Sequence, residues 1–185
     1  LASRMLWDVK AAERLDSLLD DFLERSFGPA KETLRAFYEQ LDGSKPHLVV
    51  DDQLGRMYRS LQQARTQLAD RPEMRARVDD LALYARYCTL YHAYSTADGP
   101  ARQAAFESLI RHAYRMRTTM LVHTYGLYRD LAGRDKSVKI PDDAKWNIPE
   151  DKNPWKSSEP FAAADIEQFL ADGIARHKLV ELAFQ

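Results

Sequence analysis

Apolar residues recur at three- and four-residue intervals along most of the chain, which is the period of an amphipathic α-helix. After Asp8, a candidate N-cap, the first apolar stripe consists of Leu15, Leu18, Leu19, Phe22 and Leu23. The sequence Phe27-Gly28-Pro29 predicts its end, because glycine adopts the left-handed conformation at helix termini and proline cannot continue a helix. A second helix is predicted from Pro29, closed by Asp42-Gly43, and its stripe is Leu34, Phe37, Tyr38 and Leu41. Together the two predict an αα-hairpin.

Three more helices are predicted after a short extended piece at 47–50. Asp51 or Asp52 is expected to cap the third helix, whose stripe consists of Leu54, Met57, Tyr58, Leu61, Ala64 and Leu68. The fourth helix is predicted from Arg71-Pro72 to about Ala97, with the stripe Val78, Leu81, Ala85, Cys88 and His92. The fifth begins at Pro100 and uses Ala105, Leu109, Ala113 and Met116.

The helical pattern weakens beyond the fifth helix. It continues through Met120, Leu121, Tyr125, Tyr128 and Leu131. However, Thr118, Thr119 and Gly126 are weak helix formers. We therefore expect a bend in this region, or a break into two helices.

The composition changes between Gly133 and Pro160. Four prolines interrupt this stretch, at 141, 149, 154 and 160, and no hydrophobic period is present. The stretch also contains Trp146, Ile148 and Trp155, and tryptophan rings are costly to leave in solvent. We therefore predict an extended strap that lies on the protein surface with its rings in grooves. A terminal helix is predicted from about Ala162 to His177, with Ile166, Phe169, Leu170 and Ile174 on one face.

These elements predict an all-α fold, an antiparallel bundle of about five to seven helices around one core. No stretch of useful length alternates as a β-strand does. We expect a helical bundle over 1–132, the strap over 133–160, and a terminal helix within 161–185. That helix is expected to pack on the bundle or on a neighbouring domain.

Charge and composition exclude some functions. Lys+Arg 27 against Asp+Glu 28 gives a net charge of -1, so bulk attraction to nucleic acid is not indicated. No apolar run approaches the roughly 20 residues of a membrane span. The first five residues lack the apolar core of a signal peptide. We expect the signal of an exported parent protein to lie outside this chain.

Several side chains are candidates for chemistry, each with a structural alternative. Cys88 is the only cysteine and lies in a helical, apolar context, where a buried thiol is favoured over a nucleophile. Four carboxylates of the first helix are a candidate acid and base pair, but their spacing favours a solvent-exposed face: Asp16, Asp20, Asp21 and Glu24. Three histidines without the spacing of zinc ligands are expected to be buried or interfacial: His92, His112 and His123.

A local basic patch lies on the fifth helix at Arg111, His112, Arg115 and Arg117. Guanidinium groups bind carboxylates through two parallel hydrogen bonds. Contact with an acidic sugar or an acidic partner is one interpretation of the patch. Ion pairing with the chain's own carboxylates is the favoured one.

Three short motifs carry a resemblance to a known family. They are Arg4-Met5-Leu6-Trp7-Asp8 with Leu18-Leu19-Asp20-Asp21-Phe22, Phe27-Gly28-Pro29-Ala30, and His123-Thr124-Tyr125-Gly126-Leu127-Tyr128-Arg129-Asp130. Together they resemble the helical region that follows the catalytic barrel in large bacterial proteins of a domain-of-unknown-function family, related to α-glucuronidase-type glycoside hydrolases. Val9 stands where that family often has proline.

The resemblance implies an upstream (β/α)₈ barrel as partner, carbohydrate as substrate class and an exported parent protein. That family's presumed catalytic carboxylates belong to the barrel, so no catalytic residue, metal ligand or cofactor is assigned here. We expect the chain alone not to be catalytic and its role to be that of an accessory domain. Arg115 and His123 are candidates for contact with the barrel or its ligand. A helical protein-interaction module unrelated to carbohydrate is the alternative, and an autonomous helical enzyme ranks third.

Overall fold

The computed structural model describes residues 8–41, 50–153 and 155–179. Within these ranges the chain forms seven α-helices and no strand. They are α1 Leu15–Phe27, α2 Lys31–Glu39, α3 Asp51–Gln67, α4 Pro72–Thr96, α5 Gly99–Arg115, α6 Thr124–Arg134 and α7 Ala163–Arg176. The predicted all-α helical bundle is confirmed.

The larger of two hydrophobic cores lies between α1, α2, α3, α7 and the first two thirds of α4. The stripe predicted for the third helix is fully buried, with Leu54, Tyr58 and Leu61 at 0% exposure. Leu23, Leu34 and Phe37 contribute from α1 and α2, and Leu170 from α7. Because α7 packs on α3 and α4, this core contains residues from both the first and the last helices of the described chain.

A second core lies between the end of α4, α5, α6 and the strap. Tyr94, Phe106 and Leu109 form it together with Val138 and Trp155, which are buried residues of the strap. The expectation of one core is therefore wrong. The physical reason is the length of α4, which has 25 residues and spans roughly 37 Å at the usual rise of an α-helix. Its two ends therefore contribute to different cores.

Small residues let α7 approach α3 closely. A Cβ atom at Gly173 would overlap the buried Tyr58 ring, and one at Gly55 would lie 2.6 Å from the His177 carbonyl oxygen. The His177 ring stacks on Tyr58 with 6.0 Å between centroids and 4° between planes. Arg59 Nη1 donates to the same His177 carbonyl at 2.9 Å. This contact fixes the terminal helix on the bundle.

The helix starts differ from two of the predictions. Asp8 does not begin an α-helix, because residues Val9–Arg14 form a 3₁₀ helix before α1, as is frequent at helix N-termini. Neither Asp51 nor Asp52 caps α3, since both lie in its first turn and Val50 occupies the N-cap position without a side-chain hydrogen bond. Trp7, the extended piece at 47–49 and the closing pair Asp42-Gly43 lie outside the described residues.

The predicted break after the fifth helix is confirmed. A 3₁₀ turn at Arg117–Thr119 follows α5, and Met120 takes a left-handed backbone with φ of 58°. Gly126 lies inside α6 rather than at the break. In the described part of the chain, no helix is long and apolar enough to cross a membrane.

The strap begins after α6 and is irregular apart from 3₁₀ turns at Asp142–Ala144 and Glu150–Lys152. Trp155 is only 7% exposed. Trp146 packs against Tyr114, Tyr125 and Tyr128, with ring centroids 4.9–5.5 Å apart. The prediction that both tryptophans lie against protein is confirmed.

Candidate functional site

One face of α5 carries most of the predicted basic patch. Ser108, Arg111, His112 and Arg115 are spaced three and four residues apart, so they share one side of the helix. They line an open groove of about 210 Å³, and α4 contributes Arg86 and Leu90 to its wall. Phe161 and Phe169, which precede and belong to α7, complete the lining. We call this surface the arginine groove.

The three arginines of the groove differ in how their charge is balanced. Arg115 lies over the Phe161 ring at 3.8 Å and has a distant carboxylate, Asp165, at 3.9 Å. Arg86 lies over the Phe169 ring at 5.4 Å. Among the residues that the structure describes, neither Arg86 nor the exposed Arg111 has a carboxylate within 4.0 Å. The groove therefore holds an excess of positive charge above aromatic rings.

His112 forms the buried base of the same groove and is neutral at physiological pH. Its side chain is 7% exposed, and its Nε2–H donates to the Leu83 carbonyl oxygen at 2.9 Å. Burial lowers the pKa of His112 to about 4, and the charges of Arg86 and Arg115 lower it further against the opposing hydrogen bond. The positive charge of the groove therefore comes from guanidinium groups alone.

The lowered pKa of His112 predicts a loss of stability in mild acid. Above pH 6.5 neither the folded nor the unfolded chain protonates this ring, so its effect is absent there. Between pH 6.5 and 4 the unfolded chain binds a proton that the folded chain does not bind, so stability falls as the pH falls. We expect His112 to remove about 2 kcal/mol of unfolding free energy between pH 7 and pH 5, measured by urea denaturation.

His112→Gln is the matched variant, because its amide N–H keeps a donor for Leu83. Between pH 7 and pH 5, the free energy of unfolding of this variant is expected to fall by about 2 kcal/mol less than that of the unchanged chain. This comparison separates His112 from His177, whose pKa is also lowered by burial, against the hydrogen bond that its ring donates to Asp51. Parallel pH profiles for the two proteins would contradict the prediction.

A second groove of about 270 Å³ lies on the other side of Arg115 and Phe161. Its lining contains Asp79, Asp80, Thr118 and Thr119. Burial raises the pKa of Asp80, and the neighbouring charge of Asp79 adds to the rise. Asp79 itself accepts a hydrogen bond of 2.6 Å from the buried Arg65. Asp79 therefore has a structural partner.

An exposed apolar surface lies at the connection between α5 and α6. Met120 is 87% exposed, and Leu121 and Tyr125 are each 41% exposed. We call these three residues the apolar connection. Met120 is the only non-glycine residue with positive φ in the described ranges, and such backbone strain clusters at binding sites.

The structure places Arg115 and His123, the two predicted site residues, differently. Arg115 separates the two grooves, and its Nε–H is buried without a described acceptor. His123 is exposed beside the apolar connection, where it precedes α6. No described contact joins the two side chains, so their role in binding stays a prediction. In the same patch Arg117 pairs with Glu150 at 3.4 Å, as the ion-pairing interpretation predicts.

Other candidate side chains have structural roles. Burial raises the pKa of the Cys88 thiol to about 11, which confirms a buried thiol and opposes thiolate chemistry. The carboxylates of α1 are exposed, as predicted, and three of them pair with cations. Asp20 meets Lys31 and Arg35 at 2.7 Å, Asp21 meets Arg25 at 2.7 Å and Glu24 meets Lys31 at 3.5 Å.

Sequence reasoning missed a cluster of one carboxylate and two histidines at the start of α3. The His177 ring is 1% exposed and its Nδ1 lies 2.8 Å from Asp51 Oδ1. His92 Nε2 approaches the same oxygen at 3.9 Å. No local pattern signals this cluster, because Asp51 and His177 are 126 positions apart. The Nε2 atom of His177 is buried. We therefore infer that the Asp51–His177 pair has a structural role and holds α7 against α3.

No group of three or more His, Cys, Asp or Glu side chains suited to a metal ion occurs in the described ranges. Comparisons of the chain with protein-family models, with curated proteins and with solved structures find no match. The arginine groove and the apolar connection are therefore the two surfaces from which we infer function.

Proposed function

We propose that this chain is an accessory helical domain that docks on a neighbouring protein domain through the apolar connection. The observation that carries the proposal is the exposure of Met120, Leu121 and Tyr125 on one short segment. Exposed apolar groups that are contiguous mark interaction surfaces more often than scattered ones do. Burying them against a partner removes apolar area from water, which favours association.

The strap supports the Tyr125 side of the apolar connection. The Tyr125 ring packs on Trp146 with 4.9 Å between centroids. Lys156 holds that part of the strap by donating to the carbonyl oxygens of Ile148, at 2.5 Å, and of Trp146. A surface that is ordered before binding loses less conformational entropy when the partner arrives.

The resemblance of His123–Asp130 to a region that follows a catalytic barrel supports the choice of partner. That stretch begins within the connection and includes Tyr125. We therefore propose the barrel of a glycoside-hydrolase-like protein as the partner, with carbohydrate reaching this domain only through the barrel. Docking on an unrelated protein, as an interaction module, is the alternative.

The test begins with the coding sequence of the parent gene before Leu1, where alternating strands and helices of a (β/α)₈ barrel are expected. The barrel produced alone is then titrated with this chain by calorimetry. Leu121→Asp is expected to weaken binding at least about tenfold, because a charge replaces an apolar contact at the centre of the interface.

Leu179→Asp is the matched control, since Leu179 is a leucine of similar exposure, 39%, that follows α7 and does not belong to the connection between α5 and α6. It is expected to bind as the unchanged chain does. A parent sequence without a barrel would contradict the choice of partner and favour the interaction module. Binding that Leu121→Asp leaves unchanged would contradict docking through the apolar connection.

A further inference from the structure

We infer that the arginine groove binds a phosphate monoester, with Phe161 and Phe169 contacting the apolar or ring-shaped group that bears the phosphate. This inference does not depend on the docking proposal, because it concerns other side chains and another class of ligand. Its basis is the positive charge of the arginine groove, which nearby carboxylates only partly balance.

The unbalanced charge amounts to about two elementary units. Arg86 and Arg111 have no carboxylate within 4.0 Å in the described part of the chain, whereas Asp165 partly balances Arg115 at 3.9 Å. His112 adds no charge at neutral pH, since its pKa is lowered to about 4. A phosphate monoester carries about 1.5 to 2 negative charges at that pH, so it matches this excess better than a single carboxylate does.

Intramolecular contacts explain only part of this arrangement of arginines, since Arg86 has the Phe169 ring as a cation–π partner at 5.4 Å but no described carboxylate. Arg111 and Arg115 lie one turn apart on α5, where like charges repel each other. The C-terminal helix dipole favours cations in the last turn, which accounts for Arg115. It does not account for Arg86, which lies in the middle of α4. An anion bound between α4 and α5 would offset the repulsion between Arg111 and Arg115. It would also accept hydrogen bonds from guanidinium groups on both helices.

The donors and the rings suit such a ligand. Guanidinium groups offer forked N–H donors that match phosphate oxygens. The Phe161 and Phe169 rings provide apolar contact surface in an open groove of about 210 Å³, where the group that bears the phosphate would lie.

The acidic groove beyond Arg115 is the main opposing charge. Asp79 and Asp80 line it, but Asp79 is held by Arg65 at 2.6 Å. Burial raises the pKa of Asp80, and the neighbouring charge of Asp79 adds to the rise. Arg115 and Phe161 lie between these carboxylates and the arginine groove. Neither carboxylate lines the arginine groove itself.

The test is calorimetric titration of the whole chain in low salt with inorganic phosphate, phenyl phosphate and benzoate. Phenyl phosphate is expected to bind most tightly, because it engages both the guanidinium groups and the rings. Arg111→Gln is expected to weaken it about tenfold, the usual effect of losing one charge-assisted hydrogen bond. Arg111 is exposed, so the variant is expected to fold, and Arg86→Gln provides an independent second variant.

Arg129→Gln is the matched control, since Arg129 is exposed on α6 and lies outside the groove lining. It is expected to leave the affinity for phenyl phosphate unchanged. Hexose 6-phosphate and a phosphotyrosine peptide then distinguish a small phosphorylated ligand from a phosphorylated side chain of a partner. Tighter binding of benzoate than of phenyl phosphate, equal weakening by Arg129→Gln, or no binding of any phosphate probe would overturn the inference.

Discussion

Gly173→Ala is expected to reduce the free energy of unfolding by about 3 kcal/mol, the upper end of the usual cost of overpacking a core. The added methyl group would overlap three carbon atoms of the Tyr58 ring. That ring has no room to move, because it is 0% exposed, stacks on His177 and shares a 2.8 Å hydrogen bond with Thr89. We expect α7 to shift away from α3, and urea denaturation followed by circular dichroism measures the loss.

Gly133→Ala is the matched control for Gly173→Ala. Gly133 is also helical, but a Cβ atom there has no heavy atom within 4 Å. Alanine is the better helix former, so this variant is expected to gain about 0.5 kcal/mol. The double variant Gly173→Ala, Tyr58→Leu provides a further check, because contacting positions show non-additive effects. Additive effects in that cycle, or a loss at Gly173 no larger than at Gly133, would contradict the proposed contact.

Local spacing was enough to predict the helices, because an amphipathic stripe and a terminal Gly or Pro act within a few residues of the chain. The fourth helix was expected from Arg71-Pro72 to Ala97 and occupies Pro72–Thr96. The same rules fail at Asp51, which has the residue type of a cap but pairs with His177 instead. That partner comes from the far end of the sequence, so no short window contains the signal.

The candidate sites show the same limit. The basic run on α5 was visible in the sequence, and ion pairing was the favoured interpretation, but the sequence did not show which of its arginines would form an ion pair. Arg117 pairs with Glu150 of the strap, whereas Arg111 meets no described carboxylate. The groove exists only because α4 brings Arg86 beside α5 and α7 adds two phenylalanines. Helix periodicity gives the face of each helix but not which faces meet, and that pairing determines the chemistry of the groove.

The strap also changes what the sequence implied about domain organisation. An extended segment with two tryptophans was expected to lie on the protein surface with its rings in grooves. In the structure it completes the second core, because Val138, Ala144 and Trp155 are buried beside Phe106 and Ile110. The second core is small without these residues, and small cores give little stability. We therefore expect the strap to stabilise the fold as well as to connect α6 with α7.

Trp155→Ala is expected to cost about 4 kcal/mol of unfolding free energy, because it removes a large buried ring and leaves a cavity. The Trp155 side chain is 7% exposed, and its backbone N–H donates to Asn153 at 2.8 Å, so the surrounding turn is too constrained to close the gap. Urea denaturation followed by circular dichroism measures the change. Trp146→Ala is the matched control: its ring is half-buried and packs against three tyrosines, so about half that loss is expected. A Trp155→Ala loss below about 1 kcal/mol, the average effect of a point substitution, would mean that the strap lies outside the cooperative fold.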